Sequence, residues 1–332
     1  MQKTEKQKMK LLYLMKLLVE QTDEDHPLTI AQIIDELAKN GIHAERKSIY
    51  ADINALREYG LDITSRKSKT TGYFIASRTF ELPELKLLAD AVASSKFITE
   101  KKSKQLIQKI ESLTSCYEAK QLQRQVYVTG RVKNANEKIY YNVDSIHQAI
   151  AQKKQISFRY FEYTVDKEKE YRHGGDLYYA SPYALSWDNQ NYYLIAYYER
   201  YQKISHFRVD KMENIELLDT PARELPEGEF DVAEYSRKLF GMYGGEEELI
   251  RLQFDNSLIG VVLDRFGMDA DIQKADEHSF VVTFHAFVSP TLLGWIFEFT
   301  GKVKVLEPES LKQKLRMKAM ECLKMNSDDR TL

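Results

Sequence analysis

LTIAQIIDELAKNGIHAERKSIYADINALREYGLDI, residues 28–63, carries two helical patterns separated by a glycine turn. Thr29 stands at the position of a helix N-cap, and Ile30, Ile33, Ile34 and Leu37 recur at helical spacing as far as Asn40 and Gly41. A further helix runs from about residue 45 to 59 and is stopped by Gly60, with Ile49, Ile53 and Leu56 spaced by four and three. Upstream, Met9, Leu12, Tyr13, Met15, Leu17 and Leu18 predict a first helix over residues 6 to about 22, broken by His26 and Pro27. Downstream, residues 63–75 alternate around a polar and basic middle, which predicts two strands and a tip.

On a wheel of about 100° per residue the isoleucines of the third helix turn inward, leaving Lys47, Ser48, Ala51 and Asn54 outward. Those are the side chains expected to face bases. Lys47 and Asn54 can hydrogen-bond base edges in a major groove, and Ala51 is small enough to touch a thymine methyl. Arg46, Tyr50 and Arg57 flank that face, where phosphate contact is the natural role, and Arg66, Lys67 and Lys69 stand at the hairpin tip. The competing reading is a solvated amphipathic helix followed by an ordinary hairpin. Three helices and a basic hairpin in this order favour a winged helix-turn-helix reading double-stranded operator DNA.

A chain of 332 residues, 43% hydrophobic and 30% charged, is expected to divide into several domains. The formal net charge of -2 does not exclude DNA binding, because a small basic head can be offset by acidic domains. Cys116 and Cys322 show no metal-ligand spacing and no disulfide framework, which fits a reducing cytoplasm. The apolar run at residues 11–19 is interrupted by Lys16 and is too short to cross a bilayer.

Residues 83–125 have a helical pattern and read as a connector. A helix near residues 143–152 then leads into short strands near 156–163, 171–172, 177–185, 192–198, 206–208 and 215–218, the signature of a small barrel or curled sheet. Residues 220–229 contain Pro221 and Pro226 and read as a linker, followed by a helix near residues 232–240. The tail follows a split β-α-β-β-α-β order with a terminal helix. His285, in an apolar strand, reads as a core group, as do Trp295, Phe297 and Phe299, while Arg265 can reach a phosphate or pair with Asp264 or Asp269.

Residues 28–63, followed by the run GYF, resemble the winged helix-turn-helix that opens WYL-domain transcriptional regulators. Ala51 stands before Asp52 where that family often has arginine. The runs ISFRY at 156–160, SPYALSWDNQNYYLIAYY from Ser181 and HFRVDKM from His206 resemble the WYL domain itself, with Tyr192 in place of the tryptophan. LDRFG and GWIFEFTGKVKVLEPESL resemble the C-terminal extension of these regulators. The resemblance implies a multidomain α/β (α+β) chain: residues 1–78 a winged helix-turn-helix, 79–140 a helical connector, 141–220 an Sm-like or SH3-like β-barrel, 221–245 a linker and 246–332 a ferredoxin-like domain. It also implies a homodimeric regulator whose WYL domain senses single-stranded nucleic acid or a nucleotide-like ligand. Arg159, His206, Arg208 and Lys211 can supply donors for phosphate, and Tyr183, Trp187 and Tyr193 can stack on bases. Lys211 stands where relatives usually carry arginine.

The chain has no G-x-S-x-G elbow, no H-E-x-x-H pair and no phosphate loop, which weighs against an enzyme. Gly241, Gly244 and Gly245 read as a linker turn, and no cofactor or metal is expected. The rival readings are a nucleotide-processing enzyme with a DNA-binding head and a protein-interaction platform.

Overall fold

A computed structural model describes residues 9–122, 133, 136, 138–224 and 232–326, and the chain falls into two compact units, residues 1–137 and 138–332. The expected start of the first helix at residues 6–8, the end of the connector at 123–125 and the linker residues 225–229 lie outside the described residues.

In the first unit, α1 (Lys10–Gln21), α2 (Ile30–Lys39) and α3 (Arg46–Tyr59) surround one apolar core. Leu14, Leu18, Ile33, Leu37, Ile49 and Ile53 are buried there, each side chain stabilising the fold by about 1.5–3 kcal/mol. A capping box fixes the start of α2: the Thr29 hydroxyl accepts from the Gln32 backbone N–H, and the Thr29 N–H donates to Gln32 Oε1 at 2.8 Å. Gly60, with φ of 114°, ends α3 in the left-handed region that an L side chain resists. The hairpin is β2 (Ile63–Lys67) and β3 (Thr71–Ile75). A two-residue strand, β1 (Leu28–Thr29), pairs with β3 and completes a sheet ordered β1-β3-β2. α1 ends before His26 and Pro27, because Thr22 turns extended and its hydroxyl donates to the Leu18 carbonyl. Three further helices, α4 (Leu82–Ser94), α5 (Glu100–Glu111) and α6 (Cys116–Leu122), follow.

In the second unit, α7 (Ile139–Ala151) buries Ile146 and Ala149 against a curled half-barrel sheet. Its strands are β4 (Lys154–Tyr163), β5 (Lys169–Tyr171), β6 (Tyr178–Asp188), β7 (Asn191–Tyr198), β8 (Lys203–Arg208) and β9 (Met212–Pro221). The order is β5-β4-β6-β7-β8, with β9 also paired to β4. The 3-10 turn Val209–Lys211 joins β8 to β9, and no pairing between these two strands is present among the described residues. Of the small barrel or curled sheet expected, the structure has the curled sheet, a half-barrel. Thr220 and Pro221, expected in a linker, instead finish β9; Pro221 is opposite Lys154 at the strand end, where a missing N–H is tolerated.

The helix expected near residues 232–240, within the 221–245 span between the two domains, is present. α8 (Val232–Arg237) is followed by Leu239 and Met242, both buried against Ile195 of β7. Then come β10 (Glu247–Asp255), α9 (Ile259–Phe266), β11 (Asp271–Lys274), β12 (Ser279–Phe287), α10 (Pro290–Glu298), β13 (Val303–Glu307) and α11 (Glu309–Asn326). The sheet order is β11-β12-β10-β13 with every neighbouring pair antiparallel. Alternation places Ile250, Leu252 and Phe254 of β10 on the buried face beside Phe280 and Val282. His285 is not a core group: it is exposed and its Nδ1 lies 3.4 Å from Glu247. Arg265 reaches neither Asp264 nor Asp269 in an ion pair among the described residues; it donates to the Leu239 carbonyl at 2.9 Å and covers the Phe240 ring.

Candidate functional site

The apolar stripe of α3 is locked inside the first unit, and its opposite face is bare. Lys47, Ala51 and Asn54 are exposed while Ile49, Ile53 and Leu56 are buried, as a 3.6-residue period requires. Ser48 departs from the outward position expected of it. It is half-buried and accepts from Lys10 of α1, whose ammonium also pairs with Asp52 at 2.7 Å; residues 48 and 52 share a side of the helix turned toward α1. Arg46 donates to the Tyr50 hydroxyl at 3.1 Å, so the two form one flank. Arg57 is occupied: it donates to the Ile63 carbonyl at 2.8 Å and to Asn54 Oδ1 at 3.2 Å, which fastens α3 to β2. Arg66, Lys67 and Lys69 are exposed on the hairpin, and Arg66 reaches the Glu24 carbonyl at 3.4 Å.

The second unit holds a cleft of about 800 Å³ over one face of the half-barrel. Tyr193, His206, Arg208 and Lys211 line it together. Arg208 is opposite Tyr193 in the β7–β8 register, which puts both on one face. Its guanidinium makes a two-pronged contact with Asp210, at 3.0 and 2.8 Å, and donates to Asn191 Oδ1 at 3.0 Å. That hydrogen-bonded pairing with Asp210 holds the Arg208 pKa above its ordinary value. Burial drives the other way at His206, whose pKa falls to about 4, so the ring is neutral near pH 7. The Tyr160 hydroxyl accepts from the Arg208 backbone N–H at 3.2 Å, and burial pushes its pKa up to about 12.

Arg159, Tyr183 and Trp187 are not brought to this cleft. Arg159 and Tyr160 are consecutive on β4 and so point to opposite faces. Trp187 pairs with Tyr192, one residue out of step with Tyr193, and lines a separate cavity with Asp188 and Arg265. Tyr183 falls at the β-bulge between Pro182 and Ala184, which turns it toward Arg223 and Lys153.

The far wall of the cleft was missed by sequence reasoning. It comes from residues 241–246, with Tyr235 and Phe287 behind them. Gly245 is packed so closely that an added Cβ would lie 2.5 Å from the Val288 carbonyl oxygen, so the turn read as a linker is a fitted wall. Three glycines in five residues beside Tyr243 were the available signal.

Residues 141–217 match the WYL domain. This chain carries a WYL domain. Its half-barrel is the sheet described above, and Tyr192-Tyr193-Leu194 is the run on β7 at the cleft. Residues 246–323 match the WCX domain, and residues 12–68 match the FokI D3 domain, a span holding α1 to α3 and the first hairpin strand. No curated protein matches the chain. Among solved structures, proteasome accessory factor B/C (PafBC) of Arthrobacter aurescens is similar, with a TM-score of 0.28 and 17% identity over 96% of this chain and 49% of that one. The chain thus spans about half the length of that relative. A CRISPR Cas-related protein is similar with a TM-score of 0.35 and 14% identity, over 97% of this chain and 85% of that one. Among the described residues no helix is long and apolar enough to cross a membrane, and no cluster of potential metal ligands occurs.

Proposed function

We propose that this chain is a cytoplasmic, homodimeric transcription regulator without catalytic activity or cofactor. Its first 78 residues act as a winged helix-turn-helix on double-stranded operator DNA. The observation that carries this reading is α3 itself, whose isoleucines are buried while Lys47, Ala51 and Asn54 are exposed on the other side. A helix held rigidly by its apolar face and exposing short polar and basic side chains suits insertion into a major groove. The WYL and WCX matches support the regulator class. A single head reads few base pairs, so two heads on a symmetric site supply the specificity.

The WYL cleft is assigned to the signal: single-stranded nucleic acid or a nucleotide-like ligand, with Arg208 and Lys211 toward phosphate and Tyr193 toward a base. The tail, with strand order β11-β12-β10-β13 and two helices between strands, is read as ferredoxin-like. Footprinting of the purified chain on the DNA upstream of its own coding region tests the first assignment. Two protected half-sites about one helical turn apart are expected, and a single unsymmetric patch or no protection refutes it.

A further inference from the structure

Lys10 opens α1, yet its charge is spent on another helix. It precedes the buried Leu14 and Leu17 by four and seven residues, so it prolongs their inward stripe and turns toward α3 instead of solvent. Its ammonium pairs with Asp52 at 2.7 Å and donates to the Ser48 hydroxyl, and the Lys10 and Asp52 side chains are only 12% and 18% exposed. Lys16–Glu20 and Lys39–Glu36 show the ordinary pattern: each pair stays within one helix, and the lysines are 66% and 68% exposed. Lysine is seldom covered as Lys10 is unless it is paired, and holding so long a side chain still costs rotamer freedom.

The position of Asp52 shows what that pairing does. Ser48 and Asp52 are four residues apart and share one side of α3; Ala51 lies about 100° round from Asp52, with Lys47 and Asn54 beyond it. The carboxylate therefore borders the exposed face of the helix, where a duplex groove would bring phosphates close on either side. An uncompensated acid at that border repels DNA of any sequence. The opposite border is basic, with Arg46 held by the Tyr50 hydroxyl and Arg57 fastened to β2. Lys10 leaves the acidic border without net charge.

We infer that Lys10 is a positioning residue for base readout: it cancels the Asp52 charge beside the reading face and ties Ser48 and Asp52 to α1, so that α3 presents Lys47, Ala51 and Asn54 at one fixed rotation. This rests on the reading of α3 as the helix that enters the major groove. Direct phosphate contact by Lys10 is the rival account, and its cover argues against it. A lysine that grips phosphate keeps its head in water, as the exposed Lys67 and Lys69 of the hairpin do. The lysine head on α1 is turned instead to a carboxylate and a hydroxyl of its own chain.

The test is titration of the full chain with the duplex that footprinting protects and with a scrambled duplex of the same length, at a temperature where circular dichroism shows each variant folded. Lys10→Met keeps the apolar stem and removes the charge; it should weaken the protected duplex about tenfold and lower the preference for it over the scrambled one. Asp52→Asn in that background removes the uncompensated carboxylate and should bring affinity back to within about threefold of the wild type, with the preference restored. The salt slope should then equal that of the wild type. Unchanged affinity or preference in Lys10→Met overturns the inference. So does a loss that survives Asp52→Asn with a salt slope lower by about one, the mark of a missing phosphate contact. Protection of no duplex by the wild type overturns the DNA-reading assignment as well.

Discussion

His26 lies flat on Tyr117, with ring centroids 3.7 Å apart and planes 3° from parallel. Beside the stack, Asp23 accepts from the Ser115 hydroxyl, from the backbone N–H groups of Asp25 and His26, and meets His26 Nδ1 at 2.6 Å. Arg78 adds a 2.7 Å hydrogen bond to the Thr22 carbonyl. This knot fastens the end of α1 to the start of α6, so the helices before and after the β2–β3 hairpin share polar contacts as well as chain.

Removing the acceptor at the centre of the knot should be costly. Asp23→Ala strands the Ser115 hydroxyl and two backbone amides, and a loss of about 2–3 kcal/mol is expected in denaturant unfolding. Burial raises the Asp23 pKa, but hydrogen bonds from Ser115 and His26 and the His26 charge outweigh it and leave the carboxyl below its ordinary 3.8. A depressed carboxylate contributes stability above pH 3.8 that disappears as pH falls further. Asp23→Asn should flatten that acid limb; an unchanged limb would show that the knot is not what titrates.

Base readout and backbone grip should separate on operator DNA. Lys47→Ala or Asn54→Ala should cost about 1–3 kcal/mol and relax preference at particular positions. Arg66→Ala or Lys67→Ala should weaken all sequences alike and lower the salt slope by about one. Identical behaviour of the two sets in mobility-shift titrations would contradict the roles given to α3 and the hairpin.

In the cleft, Lys211 and Arg208 should differ. Arg208 is already engaged by Asp210 and Asn191, so Arg208→Ala should lower both single-strand affinity and thermal stability. Lys211→Ala should lower affinity with little change in melting temperature. Calorimetric binding beside thermal melts distinguishes them, and intact binding by both variants would remove phosphate from the cleft.

Acid should also weaken the second unit through His206. Burial holds its folded pKa near 4 against 6.5 in the open chain, so between those values the unfolded state takes up a proton that the native state refuses. The stabilising effect is complete above pH 6.5 and is lost at up to about 1.4 kcal/mol per pH unit down to pH 4. His206→Asn, neutral throughout, should remove this slope from pH-dependent unfolding curves; an identical slope would mean that the ring is solvated.

Local spacing was enough to place α3, expected over residues 45–59 and found at Arg46–Tyr59, the hairpin behind it, and the alternating strands and helices of the tail. Each such element must turn its own apolar side inward, so its period is written in consecutive residues. Tertiary structure alone decided what lies between elements. It turned Ser48 toward Lys10, left the half-barrel open between β8 and β9, scattered Arg159, Tyr183 and Trp187 away from Arg208, and made residues 241–246 the far wall of the cleft. Those outcomes depend on strand register, a bulge and the packing of a distant turn, contacts between residues far apart in the chain that no local periodicity records.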